Sequence, residues 1–270
     1  MLLVFGKNGQ VATALSHHLP QASFLGSDIA NFLNPESVIQ QLEEIKPKVI
    51  INASAYTSVD KAECEKDSSL QINATTPGII ASWCRKNDAC LIHYSTDYVF
   101  QGDGHEPWTE DALPNPINWY GTTKLKGEEA ILQSGCKAYI FRISWVYSPW
   151  GNNFPKTILR LAKEREQLSI VNDQWGAPTD ALDVAKATAN LVKSLQSKCE
   201  LASPGIYHLC FEEYQTWYDF AVKVINNARS DGQKLALKSL TPISSEQFPT
   251  PAKRPKNSRL GSKYSKHLFT

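Results

Sequence analysis

A doubly wound α/β fold, with a parallel sheet and a smaller C-terminal lobe, is what this sequence of 270 residues predicts. Three observations carry the prediction. Short apolar runs at 2–5, 22–25, 48–51, 90–94 and 138–143 alternate with helical or mixed stretches, the rhythm of right-handed βαβ units. The first run ends in a glycine turn that opens a helix. The length suits one sizeable core with a small appended unit.

The elements follow in order. Leu2-Leu3-Val4-Phe5 reads as a short buried strand and leads into Gly6-Lys7-Asn8-Gly9-Gln10-Val11-Ala12, then into a helical Ala14-Leu15 stretch. Glycines let a backbone approach a pyrophosphate closely, and the first helical turn offers free amides and the positive end of the helix dipole. The run is therefore a Gly-x-x-Gly-x-x-Ala variant of the dinucleotide fingerprint, with Ala12 at the helix-packing position. Asn34-Pro35-Glu36-Ser37, followed by Val38, Ile39 and Leu42, marks a helix start with Asn34 as cap and Pro35 first in the helix. Val49-Ile50-Ile51 is a buried strand.

The run from Leu91 to Phe100 ends in hydroxyls and a carboxylate. Ligands of open parallel sheets bind beyond the carboxyl ends of the strands, so Ser95, Thr96 and Asp97 are expected to project into a cleft. The same three residues also make a turn and cap sequence. In Trp119-Tyr120-Gly121-Thr122-Thr123-Lys124, a helix stacks Tyr120 and Lys124 one turn apart. A phenol titrates ordinarily near pH ~10, and an adjacent ammonium favours the phenolate, so the pair can exchange a proton with a carbonyl or an alcohol. Tyrosine and lysine at this spacing also recur on solvated helix faces.

After residue 147 the strand and helix rhythm thins into the loop Ser148-Pro149-Trp150-Gly151-Asn152-Asn153. Thr179 and Asp180 are caps for a helix to about Leu195 that returns to the sheet, and Gly205-Ile206-Tyr207-His208-Leu209-Cys210 reads as a strand. Tyr214 to Asn227 is an amphipathic helix, with Trp217, Phe220, Ala221, Val224 and Ile225 on one face. The tail from Thr241-Pro242 to Arg254-Pro255 is punctuated by proline. The expected division is a nucleotide-binding core of 1–147 plus about 179–198, and a lobe of about 148–178 and 199–270. There is no internal repeat or low-complexity tract.

A formal net charge of +1 gives no reason to expect nucleic acid, and the cluster Lys253, Arg254, Lys256 and Arg259 suits a local anion site or a solvated turn. The six cysteines, Cys64, Cys84, Cys90, Cys136, Cys199 and Cys210, show no Cys-x-x-Cys spacing, which points to reduced thiols. Met1 to Phe5 has no basic leader and is cut short by Gly6, and no apolar run reaches the ~18 residues of a membrane span. A soluble cytoplasmic protein with no membrane partner is expected. Histidines 17, 18, 93, 105, 208 and 267 lack ligand spacing to carboxylates or cysteines, so no catalytic metal is indicated.

With the glycine turn, Thr96 and Tyr-x-x-x-Lys in this order, the chain resembles the extended short-chain dehydrogenase/reductases, a superfamily of the Rossmann type. Five blocks narrow the likeness: 55–63 (AYTSVDKAE), 95–100 (STDYVF), 142–147 (RISWVY), 174–179 (QWGAPT) and 254–260 (RPKNSRL). In this order, spread over nearly the whole chain, they resemble the dTDP-4-dehydrorhamnose reductase family.

That resemblance implies a nucleotide-sugar substrate whose C4 ketone takes hydride from NADPH or NADH, giving dTDP-L-rhamnose. Tyr120 is implied as the proton donor, Thr96 as its partner at the ketone oxygen, and Lys124 as the residue that tunes the phenol and meets the nicotinamide ribose. Trp145, Asp97 and Arg254 fall at implied substrate contacts, with the lobe as the substrate-binding unit. Gly6, Gly9, Gln10 and Val11 are implied at the pyrophosphate, and Ala55, Tyr56 and Thr57 beside the nicotinamide. Asn31 and Phe32 match positions near adenine, where many relatives carry an acid in place of Asn31. Asp28 would favour a free 2′-hydroxyl and Lys7 a 2′-phosphate, so both cofactors stay open. So do a homodimer and a structural divalent ion. Three other classes share parts of the pattern: a 6-deoxytalose-forming ketoreductase, a nucleotide-sugar epimerase, and a non-catalytic relative resembling the methionine adenosyltransferase regulatory subunit. The 254–260 block speaks against the epimerase, and the intact Thr96, Tyr120 and Lys124 against the scaffold.

Overall fold

The computed structural model describes residues 1–197, 202–265 and 268; Cys199 and His267 lie outside the described residues. The chain opens with β1 (Leu2–Phe5), α1 (Gln10–His18), β2 (Ser23–Leu25), α2 (Pro35–Ile45) and β3 (Val49–Asn52). Short helices α3 (Val59–Ala62) and α4 (Lys66–Leu70) lead through one π-helical turn, Gln71–Thr75, into α5 (Thr76–Lys86) and β4 (Cys90–Thr96). Then come α6 (Trp119–Gln133), β5 (Lys137–Ile143), β6 (Val146–Tyr147), α7 (Phe154–Glu164) and β7 (Gln167–Val171). The last elements are β8 (Trp175–Gly176), β9 (Thr179–Asp180), α8 (Ala181–Ser197), β10 (Gly205–His208), β11 (Gln215–Thr216), α9 (Trp217–Ser230) and β12 (Ser239–Ile243).

Six parallel strands form the central sheet in the order β10-β5-β4-β3-β1-β2. β1, β3 and β4 are buried along their whole length, as helices on both faces require of a parallel sheet. The chain leaves β1 for β2 on one side and returns to β3 on the other, so a crevice opens beyond the carboxyl ends of β1 and β3. On one face α1 packs against α8, and alanines 12, 14, 181, 185 and 189 let the two helices and the sheet approach closely around Leu15, Val184, Leu191 and Val192. On the other face α2, α5 and α6 contribute Val38, Leu42, Ile80, Trp83, Cys84 and Ile131.

A separate apolar cluster lies between α7, α9 and the parallel pair β7/β12, built on Ile158, Ala162, Leu168, Ala221, Ile225 and Leu237. Three sequence expectations change here. Residues 205–208, assigned to the lobe, form an edge strand of the central sheet, with Ile206 opposite Ile140 and His208 opposite Arg142. The buried backbone of β5 needs hydrogen-bonding partners on that side, and β10 supplies them. The Asn34 side chain does not cap α2; the Ser37 hydroxyl instead donates to the Asn34 carbonyl (2.8 Å) and accepts from the Asn31 amide (2.9 Å). The helix expected from Tyr214 starts at Trp217, because Thr216 and Asp219 form a reciprocal capping box while Gln215 pairs with Gly176.

Candidate active site at the carboxyl ends of the strands

Gly6 bends the chain at the end of β1 with φ +91°, and a Cβ there would stand 2.6 Å from the carbonyl of Ala53, so only glycine fits. Gly9 closes the turn by donating its amide to the Gly6 carbonyl (2.8 Å). α1 then begins with no side-chain cap and no acid in its first turn, which leaves the amides of Gln10 and Val11 without helical acceptors. A bare, positively polarised helix start over a cradle that side chains cannot fill suits a pyrophosphate. The Gln10 side chain is already engaged: its Oε1 accepts from Ser148 Oγ (2.9 Å) and Asn153 Nδ2 (2.8 Å), tying the 148–153 loop to α1. Trp150 of that loop stacks on His17.

Asp28 and Asn31 are exposed after β2, and Asn31 Oδ1 accepts the Leu33 amide. Phe32 is different. Its ring is buried edge-on against Phe5 (5.5 Å between centroids), so only its backbone is at hand for an adenosine. Beyond β3, the 55–57 segment is held by Asn73 of the π turn, whose Oδ1 accepts the Tyr56 amide (2.8 Å) and whose Nδ2 donates to the Tyr56 carbonyl (3.1 Å) and to Thr123 Oγ1 (3.0 Å). Asn73 thereby locks this loop to α6. Ala55 and Tyr56 are half-buried and Thr57 is exposed.

Two glycines bring α6 against its neighbours: a Cβ on Gly121 would overlap the Tyr98 carbonyl, and one on Gly127 the Asn73 carbonyl. Asn118 caps the helix through the Gly121 amide (2.8 Å). Tyr120 faces the Thr96 hydroxyl and meets the Tyr98 ring edge to face at 5.6 Å. Lys124, 1% exposed, donates to the Tyr94 carbonyl (2.7 Å) and sits 3.3 Å from His93 Nε2. Burial pushes the lysine down to about 8, against the pull of Glu128, and raises the Tyr120 phenol above its ordinary value. The sequence expectation that the ammonium lowers the phenol is therefore corrected. Lys124 is committed to Tyr94 and His93, and desolvation dominates at Tyr120.

Ser95, Thr96 and Asp97 do not project freely; they are 4%, 6% and 3% exposed. Thr96 Oγ1 donates to Asp97 Oδ1 (3.0 Å) and accepts the Tyr98 amide (3.2 Å), while the Ser95 hydroxyl has no partner among the described residues. Burial raises Asp97 to about 6 despite the Ser258 and Thr96 hydroxyls. Trp145 carries a left-handed backbone, φ +47°, and Trp217 stacks on it at 3.4 Å, so one of its indole faces is covered. Arg254 Nη2 pairs with Asp60 Oδ2 (2.6 Å) and Nη1 reaches 3.5 Å from the Tyr98 hydroxyl, which brings the C-terminal block beside Tyr120.

The structure thus gathers Thr96, Asp97, Tyr120, Lys124 and Arg254 around the ends of β4 and α6, while Asp28, Asn31 and Phe32 lie after β2. Sequence reasoning missed Asn52, Asp60, Asn73, His93 and Trp217, and the ion pair of Glu128 with Arg142. One signal was readable: His93 is a polar residue directly after the apolar Cys90-Leu91-Ile92 start of a buried strand, where burial demands a partner. Among the described residues no group of three or more histidines, cysteines or acids is placed to hold a metal.

The profile of the family described as RmlD substrate binding domain matches residues 1–270. The chain is 46% identical to a dTDP-4-dehydrorhamnose reductase of Escherichia coli K12 over 275 aligned residues, covering 99% of this chain and 91% of that protein. It is 38% identical to one of Burkholderia thailandensis, covering 99% and 92%. Among solved structures, dTDP-4-dehydrorhamnose reductase from Bacillus anthracis str. Ames in complex with NADP superposes with a TM-score of 0.86 at 36% identity, covering 97% of this chain and 90% of that one. A UDP-glucose 4-epimerase from Thermus thermophilus in complex with NAD, at 16% identity and a TM-score of 0.72 over 99% and 98%, shares the fold alone.

Proposed function

The chain belongs to the dTDP-4-dehydrorhamnose reductase family, and from that premise we propose that it reduces the C4 ketone of dTDP-4-dehydro-6-deoxy-L-mannose with NADPH or NADH, giving dTDP-L-rhamnose. The observation that carries the reading is the phenol of Tyr120, kept protonated beside Thr96, with Lys124 buried one helical turn behind it.

The glycine cradle and the amides of Gln10 and Val11 would hold the pyrophosphate of the dinucleotide, the 55–57 segment its nicotinamide half, and Asp28, Asn31 and the backbone of Phe32 its adenosine end. When bound, the nicotinamide supplies hydride to the ketone carbon. Negative charge then grows on the ketone oxygen, and Tyr120 would neutralise it with its proton. A raised phenol pKa keeps that acid loaded at neutral pH. Thr96 Oγ1 would share the same oxygen, and Lys124 would meet the ribose hydroxyls. Arg254, steadied by Asp60, suits the sugar nucleotide's diphosphate, while Asp97 and Trp145 would border the sugar.

The exposed carboxylate of Asp28 favours a free 2′-hydroxyl and Lys7 a 2′-phosphate, so both reductants belong to the proposal. The cytoplasm is the proposed compartment, in keeping with the free thiols and with the absence, among the described residues, of a helix long and apolar enough to cross a membrane. The proposed working unit is a homodimer, which light scattering reads directly.

The test is oxidation of NADPH or NADH by purified protein with and without the freshly prepared ketosugar nucleotide, followed by NMR of the product. Oxidation that depends on the ketosugar, with dTDP-L-rhamnose as product, is expected. Silence overturns the reductase reading, and a 6-deoxytalose product overturns the stereochemistry.

A further inference from the structure

His93 and Asn52 take no part in the chemistry above, yet both are almost wholly buried and touch Lys124 directly or through one step. The direction of their hydrogen bonds is fixed from the backbone. The Ser54 amide lies 3.0 Å from one end of the Asn52 side chain and can only donate, so that end is Oδ1. The other end, Nδ2, faces His93 Nδ1 at 3.0 Å and must also donate. Nδ1 is then the acceptor, and a neutral imidazole carries its hydrogen on Nε2, aimed at Lys124 Nζ at 3.3 Å. An ammonium has no lone pair to receive that hydrogen, whereas an amine does. Another hydrogen of the lysine serves the Tyr94 carbonyl, 2.7 Å away.

We propose that His93 is a positioning residue of the reductase site: oriented by Asn52, it donates from Nε2 to Lys124 and thereby favours the uncharged amine in the free enzyme. Charging Lys124 then requires the imidazole to move its hydrogen to Nδ1 and the Asn52 amide to turn over, at the expense of the bond to Ser54. Burial works in the same sense on both groups, holding His93 well below the ordinary imidazole range and bringing Lys124 down to about 8. The other charges nearby are Glu128, one turn along α6, which favours the ammonium and is held by Arg142 of β5, and Asp97 at the end of β4, which acts on Tyr120.

The proposal rests on Lys124 belonging to the reductase site, but its test does not need turnover. Nitrogen-15 NMR of the ligand-free full chain reports which imidazole nitrogen of His93 bears hydrogen, and carbon-13 NMR of the Lys124 Cε follows the lysine's charge. Above the lysine's midpoint Nε2 should carry the hydrogen, and the tautomer should shift to Nδ1 with the same midpoint as Lys124. In His93→Gln, whose carbonyl can turn toward the lysine, that midpoint should rise by about one pH unit. The pH dependence of kcat/KM should move with it. A hydrogen on Nδ1 at every pH, or an unmoved Lys124 midpoint in a folded His93→Gln protein, overturns the proposal. Silence toward the ketosugar would sink the proposed activity and leave these spectra as they stand.

Discussion

Replacing Glu128 with glutamine removes a charge from a buried ion pair while keeping the side chain's shape. Glu128 and Arg142 are 1% and 2% exposed and meet in a two-pronged contact, Nε to Oε1 at 3.0 Å and Nη2 to Oε2 at 2.6 Å. At a separation near 3 Å and an effective dielectric of about 20, their attraction is about 5 kcal/mol. A glutamine carbonyl keeps one neutral hydrogen bond, worth about 1 kcal/mol, and leaves the guanidinium uncompensated. Arg142 has little else to lean on: Nη1 has no hydrogen-bond partner among the described residues, and the Phe100 ring lies 5.0 Å beneath the guanidinium carbon. Glu128→Gln should therefore cost about 3–5 kcal/mol, read as ΔG of urea unfolding extrapolated to water. The double variant Glu128→Leu/Arg142→Met should regain most of that loss, since an apolar pair has no desolvation penalty to offset. A single-variant loss below about 1 kcal/mol, or a double variant as unstable as the two singles combined, refutes the reasoning.

Tyr120→Phe should lower kcat by about 10²–10⁴-fold with cofactor affinity nearly unchanged; full turnover in a steady-state assay would remove the phenol from the mechanism. Lys124 titrates near 8 when folded and near 10.5 in its ordinary state, so the unfolded chain binds more protons between those values and stability gains from this residue as pH rises through that window. The burial penalty below pH 8 is then about 3 kcal/mol, so Lys124→Met should be more stable than the parent by up to that amount at pH 7 and by little near pH 10. Urea titrations at the two pH values check this, and a gap that does not narrow contradicts it. Gly127→Ala drives a methyl into the Asn73 carbonyl and should cost about 1–3 kcal/mol while loosening the 55–57 loop. Thermal melts read the first effect and weaker cofactor binding the second; unchanged values in both would show that α6 has slack.

Strands, the glycine turn and the tyrosine-lysine spacing were legible because each is a local pattern: a β run, a strand-turn-helix junction, one helical turn. What depended on distant partners was not. Nothing inside residues 205–210 says which sheet they join, since that is decided by the open edge of β5. The Tyr120 and Lys124 letters imply a pair, but the lysine's orientation is set by Tyr94 and His93 on a strand some thirty residues earlier, at |i−j| of 30 and 31. Trp217 reads as one more apolar residue on a helix face, and only the fold lays it on Trp145. Asn34 illustrates a local rule that lost to a neighbour, because Ser37 closes the turn from inside the helix.

The packing of α1 against α8 has a consequence for synthesis. While the ribosome is still translating, β1, β2 and β3 can pair as soon as residue 52 emerges, but the flank of α1 that packs on α8 finds that cover only when residues 181–192 are made. A nascent chain halted before that helix therefore carries a greasy, unshielded flank, and truncated translation products should be the species that chaperones capture or that aggregate.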